Sequence, residues 1–123
     1  MTSGGLSAVR KGRTAERRAL RWLRLRGYRV IERNYRIRGG EVDVVARKAN
    51  TLCFIEIKFR GPGSYFGALE ALTPAQIRRI VRAADCYLLA HPHPGPCRFD
   101  VLAIDLIEGK WRTQYLPQAF DAK

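Results

Sequence analysis

Two hydrophobic spacings alternate along this chain and divide it into seven elements. Residues 12–26 place Ala15, Ala19, Leu20, Trp22 and Leu23 on one arc of a helical wheel and Arg17, Arg18, Arg21 and Arg24 on the other; Gly27 ends the helix. Residues 28–36 are rich in β-branched and aromatic side chains and read as a strand, turned by Gly39-Gly40. Two alternating runs follow, Glu41 to Arg47 and Leu52 to Lys58, separated by polar residues including Asn50, which is a β-hairpin pattern. Residues 60–67, with three glycines and a proline, read as a loop. Thr73-Pro74-Ala75-Gln76 opens a second helix: Thr73 is the N-cap, Pro74 the first helical residue, and Gln76 closes a capping box. Its apolar stripe of Ile77, Ile80, Val81, Ala84, Tyr87 and Leu88 runs to about Leu89, and the Pro-rich segment 91–96 breaks it. Strands are expected from Arg98 to Leu106 and from Lys110 to Leu116. The order αβββαββ implies an α/β domain with a mixed sheet flanked by helices.

At 123 residues the chain fits one domain, expected over 12–123 behind a flexible basic tail of residues 1–11. Hydrophobic residues make up 46% of it, which excludes a disordered composition and allows one core. No run approaches a membrane span and the N-terminus carries no apolar secretory core, so the expected location is cytoplasmic and no membrane partner is expected. Cys53, Cys86 and Cys97 are odd in number and widely spaced, which suggests neither a disulfide framework nor a zinc site.

Charge changes the picture. The net charge is +12, and residues 1–38 hold 12 Lys or Arg against Glu16 and Glu32, so +10 of it is concentrated there. Arginine dominates, and its planar fork matches phosphate oxygens. A polyanionic partner, nucleic acid, is the reading; the alternative is a merely solvated arginine-rich surface. Glu16 falls in the middle of the first helix's apolar arc, where a carboxylate is either paired, metal-bound or near a cleft, or else a partly exposed acid favoured by the helix dipole.

The hairpin carries the candidate chemistry. Glu41, Asp43 and Val45 alternate onto one face of its first strand, and Phe54, Glu56 and Lys58 onto one face of its second. A tight turn between Ala49 and Asn50 pairs residues whose numbers sum to 99, setting Asp43 across from Glu56 and Glu41 across from Lys58. Glu41 with Lys58 suits an ordinary solvent-facing ion pair. Asp43 with Glu56 does not, because directly opposed like charges destabilise unless a cation compensates. Mg²⁺, which takes one or two carboxylates and keeps several waters, or Mn²⁺, fits that need. Such a metal acidifies water and polarises a phosphate oxygen, and a neighbouring lysine can orient the nucleophile or stabilise charge developing on phosphorus. Arg13 and Arg17 in the basic N-terminal region, with Arg36 and Arg60, are candidates for contacts to flanking phosphates. Arg98 and Asp100 are read as a structural pair beside the site, and His91 and His93 as surface-loop residues rather than metal ligands.

Glu16 with Ala19, ERNYR at 32–36, GEVDVVA at 40–46, FIEIKFR at 54–60, FG at 66–67 and CRFDVLAI at 97–104 together resemble the YraN-like uncharacterised protein family, uncharacterised protein family 0102. The resemblance covers nearly the whole chain. It implies the PD-(D/E)xK endonuclease-like superfamily, near archaeal-type Holliday junction resolvases, and so a restriction-endonuclease-like fold. It also implies that Asp43, Glu56 and Lys58 match the superfamily's catalytic motif, with Glu16 as the acid of the first helix. The Ile57 carbonyl is assigned, with Glu16, to helping Asp43 and Glu56 hold the metal. Where the family usually carries a Lys early in the second long helix this chain has Gln76, which supports the site in resolvase-like relatives and is otherwise a helix cap. Glu41 is assigned to orienting Lys58.

The function expected is a divalent-metal-dependent endonuclease acting on DNA, with branched or damaged DNA as candidate substrates and a homodimer as the assembly resolvases suggest. The alternatives are a non-catalytic nucleic-acid-binding protein with a nuclease-like fold, and an RNA-processing or ribosome-associated role.

Overall fold

The computed structural model describes residues 2–60 and 72–122, with side chains from Gly12 onward. Among the described residues two helices and one five-stranded sheet follow the expected order: α1 (Thr2–Leu25), β1 (Arg29–Ile37), β2 (Gly40–Lys48), β3 (Thr51–Arg60), α2 (Pro74–Ala90), β4 (Cys97–Ile107) and β5 (Lys110–Phe120). α1 reaches back over most of the segment read as a tail. Gly4 and Gly5 argue against helix there, but no proline interrupts it. The glycine-rich loop expected after β3 lies outside the described residues.

The strands are ordered β1-β2-β3-β4-β5. Three neighbouring pairs are antiparallel and β3 with β4 is parallel, so α2 is the crossover between them and the sheet is mixed. Hydrophobic periodicity decides which helix covers which face. Ala15, Ala19, Leu20 and Leu23 of α1 pack on Val44, Ala46, Cys53, Ile55, Leu102 and Ile104. Ile80, Ala83, Ala84 and Tyr87 of α2 pack on Val42, Val45, Leu52 and Phe54 on the opposite face. The central strands are therefore buried on both sides, a three-layer arrangement.

The helix ends are fixed by local chemistry. Gly27, at φ +85°, closes α1 with Tyr28 N–H donating to Leu23 O at 2.9 Å and Gly27 N–H to Arg24 O at 3.2 Å, a Schellman pattern that needs a left-handed residue. At the start of α2, Gln76 N–H donates to Thr73 Oγ1 and Thr73 N–H to Gln76 Oε1, the reciprocal capping box. β5 outlasts its expected end at Leu116 and continues to Phe120. It contains Pro117, which lacks the N–H a ladder needs; β5 is an edge strand, where that loss is tolerated.

Candidate active site

β2 and β3 pair in the register that the short turn dictates, from Lys48↔Thr51 to Val44↔Ile55. The regular ladder stops there. Val42 and Val45 both join the α2-side core although three positions apart, so β2 reverses its facing between them, where strict alternation would put Val42 with Val44. Asp43 sits in that reversal, and its Oδ2 accepts the Ile57 N–H at 2.8 Å. A side-chain carboxylate thus caps a strand donor that a continued ladder would have given to a β2 carbonyl. On β1, Asn34 lies between Arg33 and Tyr35, which pair with Val44 and Val42, and so stands abreast of Asp43. Its φ of 53° is a left-handed value that Asn tolerates better than most residues, and it bends β1 alongside the reversal.

The reversal brings Asp43 and Glu56 within side-chain hydrogen-bonding reach of each other. Both carboxyls are pushed above their usual range. Burial is the main cause for Asp43, opposed by its hydrogen bonds to Glu56 and the Ile57 N–H. Burial and then the Asp43 charge push Glu56 up to about 8, with Lys58 pulling the other way. Lys58 Nζ lies 3.5 Å from Glu56 Oε2, and both side chains are largely buried. Two carboxyls that cannot both ionise cheaply, with an ammonium at their edge, form the centre of the site.

Glu41 is placed differently from expectation. Rather than facing Lys58, it pairs with Arg36 across β1 at 2.9 Å and with Arg79 of α2 at 3.7 Å. The cause is the same reversal, which turns the start of β2 towards α2. Gly40 permits the approach: a Cβ there would stand 2.9 Å from Ala83 N and 3.0 Å from Arg79 O. Glu41, Glu56, Gln76, Arg79 and Ile80 line a cleft of about 70 Å³, so Gln76 reaches the cleft while also capping α2. Arg79 was not singled out from the sequence. Its signal is its spacing: three residues after Gln76 and one before the buried Ile80, on the same side of the helix.

The model of Uncharacterised protein family UPF0102 matches residues 15–104, which contain every one of these positions. A UPF0102 protein of Chlorobium phaeobacteroides is 44% identical over 116 residues, covering 89% of this chain and 92% of its own. One of Cupriavidus metallidurans is 42% identical, covering 94% and 84%, and one of Ralstonia nicotianae is 47% identical, covering 85% and 84%. The chain belongs to the UPF0102 family.

The remaining sequence candidates in this UPF0102 protein fall elsewhere. α1 covers the face opposite Glu56, so Arg13 and Arg17 are exposed on the far layer from the carboxylate pair. Glu16 is half-buried on α1, and no hydrogen bond or ion pair among the described residues joins it to Asp43 or Glu56. It does lie towards the site end of the sheet. The C-terminal end of α1 is tied to the other end, where Lys48 Nζ donates to Arg26 O, and Glu16 is ten residues, ~15 Å, back along the helix. Arg60 forms two hydrogen bonds of 2.6 Å with Asp105, and both side chains are nearly buried.

Arg98 and Asp100 do pair, but on the α1 face rather than beside the cleft. Asp100 is fully buried and accepts from Arg98, from the Tyr115 hydroxyl and from the Gln118 N–H. Burial and Asp100 push the Cys53 thiol up to about 12, which leaves it a packing residue. His93 Nε2 bonds Asn50 O at 2.8 Å and His91 packs on Tyr87, roles that hold the loop. Among the described residues no three His, Cys, Asp or Glu side chains cluster as a metal cage, and no helix is long and apolar enough to cross a membrane.

Proposed function

We propose that this UPF0102 protein is a divalent-metal-dependent nuclease of the PD-(D/E)xK type with a restriction-endonuclease-like fold, hydrolysing phosphodiesters in DNA. The observation that carries the reading is the Asp43–Glu56 pair, two largely buried carboxyls brought together where β2 leaves the ladder, with Lys58 beside them. Its donor chemistry fits Mg²⁺ or Mn²⁺. Two carboxylates suit a hard cation that completes its shell with water and phosphate oxygens, and neutralising the pair removes the repulsion that, after burial, pushes Glu56 up.

Asp43 and Glu56 would hold the cation, which when bound supplies Lewis acidity towards a phosphate oxygen and acidifies water. The remaining work falls to the chain itself. The Ile57 N–H fixes one Asp43 oxygen and does not engage the other. Lys58 presents its ammonium to the phosphoryl oxygens as negative charge develops on them. A water oxygen forms a bond to phosphorus and gives up a proton, one P–O ester bond breaks, and the departing oxygen takes up a proton in its place. Gln76 and Arg79 line the same cleft as Glu56 and would meet the scissile phosphate there.

A second reading, a nucleic-acid-binding module without hydrolysis, draws on the net charge of +12, which suits a polyanion whether or not it is cleaved. One experiment separates the two: end-labelled single-stranded, duplex, flap and four-way-junction DNA with Mg²⁺ or Mn²⁺, comparing wild type with Glu56→Ala and Lys58→Ala. Cleavage by wild type alone supports the nuclease. Retention of the same DNAs by all three proteins without cleavage supports the module.

A further inference from the structure

We infer that the exposed groove on α2, not the arginine-rich helix α1, is the track along which a nucleic-acid backbone approaches the carboxylate cleft. The delivery role rests on the nuclease reading; the binding role stands apart from it. The groove is an open depression of about 670 Å³ lined by Arg78, Arg79 and Arg82 of α2, with Gly39 at one wall and Asp85 as the acid among its lining residues. All three arginines are exposed. Arg82 is held in place by donating its Nε to Arg38 O at 3.0 Å, a bond that does not use its terminal nitrogens. Arg78 and Arg82 are one helical turn apart, about 6 Å along the axis, and present two guanidinium forks in a row.

Continuity with the site comes through Arg79, which lines both this groove and the small cleft holding Glu56 and Gln76. A backbone lying across Arg82 and Arg78 is therefore led to the cleft by a residue already in it. Arg79 also sits 3.7 Å from Glu41, and a phosphate arriving at the cleft offers it a competing anion. α1 has a groove of its own, of about 310 Å³, lined by Arg18, Arg21, Arg26 and Trp22. That groove lies on the layer facing away from Glu56. The concentration of charge in residues 1–38 points to α1, whereas the fold places α2 at the site.

The test uses the full chain and a fluorescein-labelled duplex DNA in EDTA, so that metal does not contribute. Anisotropy titrations at several salt concentrations compare wild type, Arg78→Glu/Arg82→Glu, Arg78→Lys/Arg82→Lys and Arg18→Glu/Arg21→Glu, with thermal melts confirming that each is folded. The α2 reversal is expected to weaken binding on the order of tenfold or more and to lower the slope of log affinity against log salt by about 2, one for each lost phosphate contact. The lysine pair is expected to keep most of the affinity, and the α1 pair to bind within a few-fold of wild type. An α2 reversal that binds like wild type, a loss confined to the α1 pair, or no DNA binding by wild type each overturns the groove. The nuclease reading is tested separately, by the cleavage assay with Mg²⁺ or Mn²⁺: DNA that binds the groove but is never cleaved sinks the nuclease and leaves the groove.

Discussion

The Asp43 carboxylate accepts the Ile57 N–H at 2.8 Å, so one side chain both ends the β2–β3 ladder and supplies half of the acidic pair. Asp43→Asn separates these roles, since the amide oxygen still accepts from Ile57 while the charge beside Glu56 is gone. Without metal at pH 8 the variant is expected to be as stable as wild type or more so, by up to about 1 kcal/mol, the scale of a directly opposed like-charge pair. Added Mn²⁺ is expected to raise the wild-type melting temperature and leave the variant's unchanged. An equal rise in both would remove Asp43 from the metal site.

Glu56 gives the pH dependence its sign. Its carboxyl is pushed from 4.5 up to about 8 in the fold, by burial first and the Asp43 charge second. The folded state then keeps a proton that the unfolded chain releases above about 4.5. The stability that proton confers is complete below that value and is lost as pH rises through about 8. Metal-free wild type should therefore lose more melting temperature between pH 5 and pH 8.5 than Glu56→Gln does. A cation needs the ionised pair, so the Mn²⁺-induced rise should grow across the same window. Identical pH profiles for the two proteins would contradict this account.

Much of the site's frame was legible because a short hairpin turn and period-two alternation together fix register: the pairs from Val44↔Ile55 to Lys48↔Thr51 are those the turn dictates. The α2 capping box was legible for a similar reason, being a local exchange between Thr73 and Gln76. What escaped was non-local. Alternation carries no sign that β2 reverses at Asp43, so Glu41 was set opposite Lys58 when it meets Arg36 and Arg79. Arg60 reads as a phosphate-contact candidate because its partner Asp105 lies 45 residues away on β4. The density of arginine in α1 was visible, but not that α1 covers the face away from Glu56.

Asp100 is a structural acid, and its removal should show it. Fully buried, it meets the Arg98 guanidinium at 2.8 Å, and Asp100→Ala would leave that cation with no counter-charge against Tyr28 and Tyr115. Removing one partner of such a pair costs about 3–5 kcal/mol, with the lower end expected because Arg98 keeps some exposure. Urea denaturation measures the loss. A change under about 1 kcal/mol would mean that the network is not needed to hold β4 and β5.

Gly40→Ala tests the approach of β2 to α2. The added methyl would meet the backbone at Ala83 N, 2.9 Å away, and at Arg79 O, 3.0 Å away, and neither can swing aside as a side-chain tip would. A cost of about 1–3 kcal/mol is expected in urea denaturation, typical of forced overpacking. The Glu41–Arg79 pair should loosen with it. A neutral substitution would show that the two elements are free to separate.

Lys58 is the residue whose loss should divide chemistry from metal binding. Its Nζ stands 3.5 Å from Glu56 Oε2 and contributes charge to the site without being able to hold a cation. Lys58→Ala leaves Asp43 and Glu56 in place, so the Mn²⁺-dependent melting shift should survive. Removing the ammonium also frees Glu56 from an influence that lowers its pKa, so the shift should need a somewhat higher pH to reach full size. Cleavage of the preferred DNA should fall about 10²–10³-fold, the loss seen when a single charge-stabilising donor is taken from a transition state. Single-turnover rates at saturating DNA isolate that step from binding. Unchanged rates would remove Lys58 from the chemistry; joint loss of the rates and the metal shift would make it a support for the carboxylate pair instead.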